Sequence, residues 1–400
     1  MNEIQKAKLA IKNYAQDAHI SKELFYFYIS RIFMRISLSA LSVFIPVFIY
    51  KQYDEKITMV VLVFATIYLF QLILNPISAK LLGIFGLKPL LISGMLFAVA
   101  SVASLAFPDE YLNLSVFLFA ILTAIYRVLY WVPYHIDFSL LLDKKTRGRQ
   151  LAFLRNFSTL IIIVAPILGG VLISSGGFAA TFTYAAIIMA FALLPILKIN
   201  NVYERFSWGY IETFIHLFRK ENRPILLAHA ANGAQAIAVV VFWPLYIYMI
   251  LEGRYTSLGI ITSITLIAVM FLRYLAGKMF DKWSEKRMVL VGVLFSATGW
   301  VIKVFVNTPV QIVLADTYHQ FGRVVNSLTF DAATYEQSAD AGKYIDEYTT
   351  LKEMALNVGR LLMLFITFFL IEIFGIKVAF ILAALLTLFM ILLERQTRIS

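Results

Sequence analysis

The stretch ITMVVLVFATIYLFQLILNPISAK, residues 57–80, decides the fold class. It is apolar from end to end, carries no charge before Lys80, and follows the charged break KQYDEK at 51–56. A hydrocarbon core about 30 Å thick needs roughly 20 apolar residues per helix, and this run supplies them. Comparable runs recur at 24–50, 88–107, 112–137, 151–174, 178–198, 224–251, 256–277, 287–306, 309–333, 348–373 and 376–393. Helix-stopping punctuation separates several of them: Pro108-Asp109-Glu110, SSGG at 174–177, Glu252-Gly253-Arg254 and Asn307-Thr308-Pro309. A transmembrane barrel would instead show alternating stretches of about ten residues. The expected fold is therefore all-α and integral to a membrane, with twelve transmembrane helices.

Composition agrees with that reading. Of 400 residues, 60% are hydrophobic and only 15% are charged, whereas soluble globular chains are about 45–50% apolar. Water-soluble enzymes and nucleic-acid binders are poor fits. The absence of cysteine removes disulfides, thiolate chemistry and cysteine-held metals. No paired metal motif, nucleophile elbow or phosphate-binding glycine loop stands in the sequence. The expectation is a non-enzyme without cofactor, metal or catalytic residues, and a receptor or scaffold on the same fold is the other non-enzymatic alternative.

Residues 1–22 hold four lysines, with Ile4, Ala7, Ile11 and Ala18 at near-helical spacing, and form an amphipathic lead-in rather than a signal peptide. The longest polar break, 199–223, carries Trp208, Ile211, Phe214, Ile215 and Phe218 on one helical face. It reads as a surface-lying connector, with a solvent loop as the alternative, between bundles at 23–198 and 224–400. An offset of 196 residues superposes Arg127-Val128 on Arg323-Val324 and His135 on Asp331.

With alternate loops assigned to opposite sides, one side holds only Lys51, Lys56, Arg254 and Lys377, and the other holds all the remaining loop lysines and arginines. The positive-inside rule then places both termini and the connector in the cytoplasm of a multi-pass protein of the cell (inner) membrane. Further charges fall inside the spans: Arg31, Arg35, Arg127, Arg155, Arg273, Lys303, Arg323, Lys352 and Arg360, against Asp137, Asp316, Asp331, Glu353 and Glu372. Each costs roughly 2.5–3.5 kcal/mol at mid-membrane, so these side chains must be paired or line a wet cavity.

Between spans eight and nine the chain reads Gly277-Lys-Met-Phe-Asp281-Lys282-Trp-Ser284-Glu-Lys286-Arg287. This resembles the loop signature of the major facilitator superfamily, with Ser284 where a second glycine is usual. Gly83-Ile-Phe-Gly86-Leu-Lys88-Pro89 looks like an eroded copy, with Gly83 in the place of aspartate. Ala165-Pro166-Ile-Leu-Gly169-Gly170 in span five is similar to the core of the superfamily's antiporter motif. Arg127 stands roughly where that family carries a fourth-helix arginine, although its neighbours do not match. The resemblance implies two six-helix bundles and alternating access. Gly277, Asp281, Lys282, Arg273, Pro166, Gly169 and Gly170 are then candidate gating residues. Asp281 at a helix junction can pair with Arg273 or Lys282 in one orientation and release it in the other. A positive-inside anchor explains the basic residues but not the embedded acid and glycine.

Span ten places Asp316, His319, Gln320, Arg323 and Asn326 on one helical face. Span four has a comparable stripe of Arg127, Tyr130, Tyr134 and Asp137 or His135; span one has Arg31 and Arg35; span seven has His229, Asn232 and Gln235. The resemblance implies that these four helices surround a central cavity; a helix–helix hydrogen-bond seam is the alternative for span ten. An Arg31–Asp137 ion pair is expected from their similar depth. Span eleven adds Glu353, Asn357 and Arg360, with a Glu353–Arg360 or Glu353–Arg155 lock as likely a use as substrate contact. Asp316, Asp137, Glu353 and Asp331 are the proton-coupling candidates.

Arginines on cavity faces recognise carboxylate and phosphate, so the expected function is secondary transport of a small organic anion or anionic amphiphile, coupled to H+. The alternative is a proton-coupled multidrug antiporter exporting lipophilic compounds. Expected partners are the small-molecule substrate, H+ and the lipid bilayer, with no nucleic acid, in a monomer.

Overall fold

The computed structural model describes residues 21–141, 147–203, 206–280, 283–340 and 345–395; the side chains described leave out 132, 135–161, 225, 278, 280, 285, 328–346, 348 and 393–395. The lead-in 1–20, Asp281 and Lys282 lie outside the described residues, as do the side chains of His135, Asp137, Arg155, Asn156 and Asp331.

All the regular structure among the described residues is helical. The first apolar run forms α1 (Lys22–Leu41) and α2 (Phe44–Gln52). Ser21 caps α1 by accepting the Leu24 amide at 3.1 Å. The 57–80 run extends into α3 (Ile57–Phe85), which tolerates a buried Pro76 inside it and stops at Gly86, with φ 78°. There follow α4 (Leu87–Ser104), α5 (Leu112–Leu141), α6 (Arg147–Phe191) and the short α7 (Leu193–Ile196). The connector contains α8 (Tyr210–Phe218). Beyond it run α9 (Arg223–Ile237), continued through one π-helical turn (Ala238–Phe242) into α10 (Trp243–Ile250), then α11 (Tyr255–Phe280), α12 (Glu285–Val304), α13 (Pro309–Asp340), α14 (Ile345–Phe374) and α15 (Lys377–Thr387).

Among the described residues, nine helical segments are long and apolar enough to cross a membrane. Three expected spans explain the difference from twelve. The fifth and sixth runs are joined in α6, where Gly177 breaks the helical backbone at φ 77° and ψ 178°. The polar stripe of α13 keeps it outside the apolar class, and the last run, Lys377–Leu392, is short.

The packing pairs repeat along the chain. In the first half α4 packs on α5, α3 on α5, and α1 on α6; in the second, α12 packs on α13, α11 on α13, and α9 on α14. Two extensive crossings join the halves, α6 with α11 and α3 with α14. A hydrophobic core runs through both, from Phe27, Phe44 and Phe182 to Phe242, Trp300 and Phe380.

The eroded loop motif has a local structural role. Asn201 accepts the Lys88 amide at 3.0 Å and donates to the Phe85 carbonyl at 3.0 Å, while Lys88 Nζ donates to the Leu197 carbonyl at 2.7 Å. These bonds tie the turn between α3 and α4 to the chain after α7. A side chain at Gly86 would meet Asn201.

Candidate functional site

The α13 stripe divides between two settings. Asp316, His319 and Asn326 are buried, while Gln320 and Arg323 are half-buried. Asp316 Oδ1 accepts from Lys303 Nζ of α12 at 2.6 Å. The same ammonium lies 3.2 Å from His319 Nδ1. An ammonium only donates, so Nδ1 is the acceptor and the ring proton sits on Nε2, which has no hydrogen-bond partner among the described residues. Trp243 and Trp300 complete the enclosure, their ring centroids 4.1 and 4.6 Å from the Lys303 nitrogen. Asn326 Nδ2 donates to Ser296 Oγ at 3.1 Å, and Arg323 Nη1 to Gln320 Oε1 at 3.3 Å. Lys303, fully buried, is the functional-site candidate that sequence reasoning left unassigned. Its one signal is a charge in the last turn of an apolar helix.

The α5 stripe forms a second cluster. Tyr130 and Tyr134 stack at 5.6 Å, and Arg31 of α1 lies over the Tyr134 ring at 4.0 Å. Arg35 is half-buried one turn further along the same face of α1. Arg127 Nε donates to Gln71 Oε1 of α3 at 2.7 Å, and its guanidinium carbon stands 5.3 Å from the Tyr68 centroid. From the other half, the guanidinium carbon of Arg360 lies 5.0 Å from the same ring, and its Nη1 donates to Asn357 Oδ1 at 2.6 Å. The structure thus brings Arg127 together with Arg360, Tyr68 and Gln71, which the stripes alone do not pair. Glu353, two turns from Arg360 on α14, is buried. His229 and Gln235 are buried and Asn232 half-buried on α9, which packs along α14.

The candidate gating residues fall at two ends. Near the 252–254 loop, a Cβ on Gly170 would stand 2.6 Å from the Tyr255 carbonyl oxygen; one on Gly259 would meet that of Pro166, and one on Gly169 that of Ala40. These small residues let α6 approach α1 and α11 backbone to backbone. The hydroxyls of Ser174 and Thr256 stand 3.0 Å apart, and Phe178 meets Tyr255 edge-on at 5.3 Å. At the opposite end Gly277 is half-buried with no atom of the described residues within 4 Å of where a Cβ would stand, and Arg273 is exposed.

The connector fastens there to both halves. Glu347 Oε1 accepts from the Ser207 amide and hydroxyl at 2.9 and 2.6 Å, and the Tyr210 hydroxyl donates to the Ile73 carbonyl at 3.1 Å. Thr213 and Leu217 of α8 are buried, Leu217 within a cluster with Leu351, Met354 and Ala355. Ile211, Ile215 and Phe218, expected to share one face, are exposed at 72%, 54% and 56%. That apolar row therefore points away from the bundle, as in a helix lying at a lipid interface.

Among the described residues no group of three or more metal-ligating side chains comes together. Over residues 27–334 the sequence matches the family described as the Major Facilitator Superfamily. The chain belongs to this superfamily. It is a multi-pass membrane transporter. No curated protein sequence matches it. Among solved structures, the superfamily chain resembles a POT family transporter in complex with 5-aminolevulinic acid, with TM-score 0.70 and 14% identity over 94% of this chain and 96% of that one. It also resembles a peptide transporter POT in complex with sulfate, with TM-score 0.70 and 15% identity over 94% of this chain and 95% of that one. At such identities the likeness is one of fold.

Proposed function

We propose that this major facilitator transporter moves a small organic anion or anionic amphiphile by alternating access, with proton coupling. One observation carries the reading. Arg127, Arg323 and Arg360 are half-buried within the helix bundle, and among the described residues their hydrogen bonds go to neutral amides alone. The buried Asp316 is already held by Lys303. Asp316 attracts Arg323 and Glu353 attracts Arg360, but among the described residues no carboxylate is hydrogen-bonded to any of the three. Guanidinium groups held so inside a membrane bundle are costly, and an anionic cargo offsets that cost during the cycle.

The arrangement proposed has twelve transmembrane helices in two bundles, 23–198 and 224–400, with the termini and connector cytoplasmic in the cell (inner) membrane. The α6/α11 crossing then closes the outer face. Asp316 is the favoured proton site, because a proton taken by its carboxylate would release Lys303; Glu353, Asp137 and Asp331 follow it. Arg31, Arg35, Tyr130, Tyr134, His229, Asn232, Gln235, His319, Gln320 and Asn326 complete the proposed substrate-facing set.

A thermal-shift screen of the purified protein against anionic metabolites, anionic lipids and cationic drugs at two pH values tests the reading. Stabilisation by anions, with a pH dependence, is the expected result. Stabilisation by cationic lipophilic drugs alone would replace it with the exporter reading.

A further inference from the structure

The seam where α3, α5 and α14 meet contains hydrogen-bond donors with nothing among the described residues to receive them. Gln71 and Asn357 are fully buried, and each turns its amide oxygen to an arginine. Guanidinium has no acceptor, so these amides cannot be flipped, and the NH2 on the other arm of each is left as a donor to something else. Gln71 Nε2 and Asn357 Nδ2 have no partner among the described residues. Asn75, one turn along α3 from Gln71 and 1% exposed, has neither amide atom satisfied there. A buried donor left unmade costs about 1–3 kcal/mol, so two such amides bonded to two guanidiniums, with a third one turn along α3, call for an acceptor. Tyr68 supplies a shared platform: its distances to Arg127 and Arg360 cap the separation of the two guanidinium carbons at about 10 Å. One phosphate or one short carboxylate can take charge-assisted bonds from both guanidiniums where they stand closer than that cap.

We infer that Arg127 and Arg360, with the amides of Gln71, Asn75 and Asn357 and the ring of Tyr68, form an oxyanion subsite shared by the two halves. Arg127 and Gln71 belong to the first half, and Arg360 and Asn357 to the second. An anion held there bonds the halves to each other, so its arrival favours their approach at this seam and its departure lets them part. The inference rests on the anion reading above and narrows it to one place and one chemistry, an oxyanion terminus.

The test uses the full-length protein in nanodiscs, with thermal midpoints measured in sodium phosphate and in sodium acetate against sodium chloride at matched ionic strength. Phosphate or acetate should raise the midpoint of the unsubstituted protein. Arg127→Gln and Arg360→Gln should each lose that shift, with the apparent anion affinity falling at least tenfold, whereas Arg254→Gln, at an exposed arginine of the 252–254 loop, should keep it. Should the glutamine variants not fold, Arg127→Lys and Arg360→Lys keep the charge but not the planar fork, and each should still lower the affinity. Shifts that persist in the Arg127 and Arg360 variants but vanish in Arg323→Gln overturn the subsite and leave the anion reading standing. An unsubstituted protein that neither salt stabilises shows that water alone serves these donors, which also overturns the subsite. The wider reading falls only if the organic anions of the screen fail as well.

Discussion

Replacing Lys303 by Met removes the cation from a fully buried ion pair while keeping all but the last atom of the side chain's length. At 2.6 Å and an effective dielectric of about 20, the attraction is roughly 6 kcal/mol. Desolvating the two ions costs several kcal/mol each, so the pair nets little in total. Its loss is another matter: Asp316 stays buried without a partner, and the single variant is expected to lose about 3–5 kcal/mol. The double variant Lys303→Met with Asp316→Leu removes both penalties and should recover most of that stability. Thermal unfolding followed by tryptophan emission measures it directly, because Trp243 and Trp300 both border the ammonium. If the single variant melts with the parent and leaves the emission unchanged, the pair is not a stabilising contact in the membrane and Asp316 has lost its proposed partner. A double variant as unstable as the single would equally refute the desolvation reasoning.

Three further outcomes are expected. Ser174→Cys with Thr256→Cys, made in a chain that has no cysteine of its own, should cross-link under mild oxidation, since the parent hydroxyls lie 3.0 Å apart; the cross-linked protein should lose transport and recover it on reduction. Gly259→Val should overpack the α6/α11 crossing, where a Cβ would stand 3.0 Å from the Pro166 carbonyl carbon and 3.2 Å from Ile167 Cα; a loss of about 1–3 kcal/mol in thermal stability, and slower disulfide formation when the substitution is added to the double-thiol variant, check this. Glu347→Ala removes both bonds to Ser207; at about 2 kcal/mol for the pair, opening of the connector rises about 25-fold, read as faster tryptic cleavage at Arg219 and Lys220.

Much of the bundle was legible because lipid imposes a one-dimensional rule: a helix long enough to cross must be apolar along its length. The rule fails where function competes with it. Span ten was legible as a helix from its flanks and its one-sided polar stripe, yet that stripe takes α13 out of the apolar class. The boundary between the fifth and sixth runs was legible in SSGG, and the structure locates the break at Gly177 alone. The connector's amphipathic pattern was also readable, but a pattern says only that a helix has an apolar side. It could not say that Thr213 and Leu217 would meet the bundle while Ile211 and Phe218 turned outward.

The sequence by itself determined the membrane class, the helical segments and the presence of arginines that must be explained. Tertiary structure alone decided their company. Lys303 and Asp316 lie on successive helices, and Arg127 and Arg360 on opposite halves, yet the first pair is closed within one half and the second converges on Tyr68. Helical periodicity fixes which side chains share a face of their own helix. It leaves open which neighbour that face meets, and in a low-dielectric bundle the neighbour determines whether a charge is neutralised or remains available to a ligand.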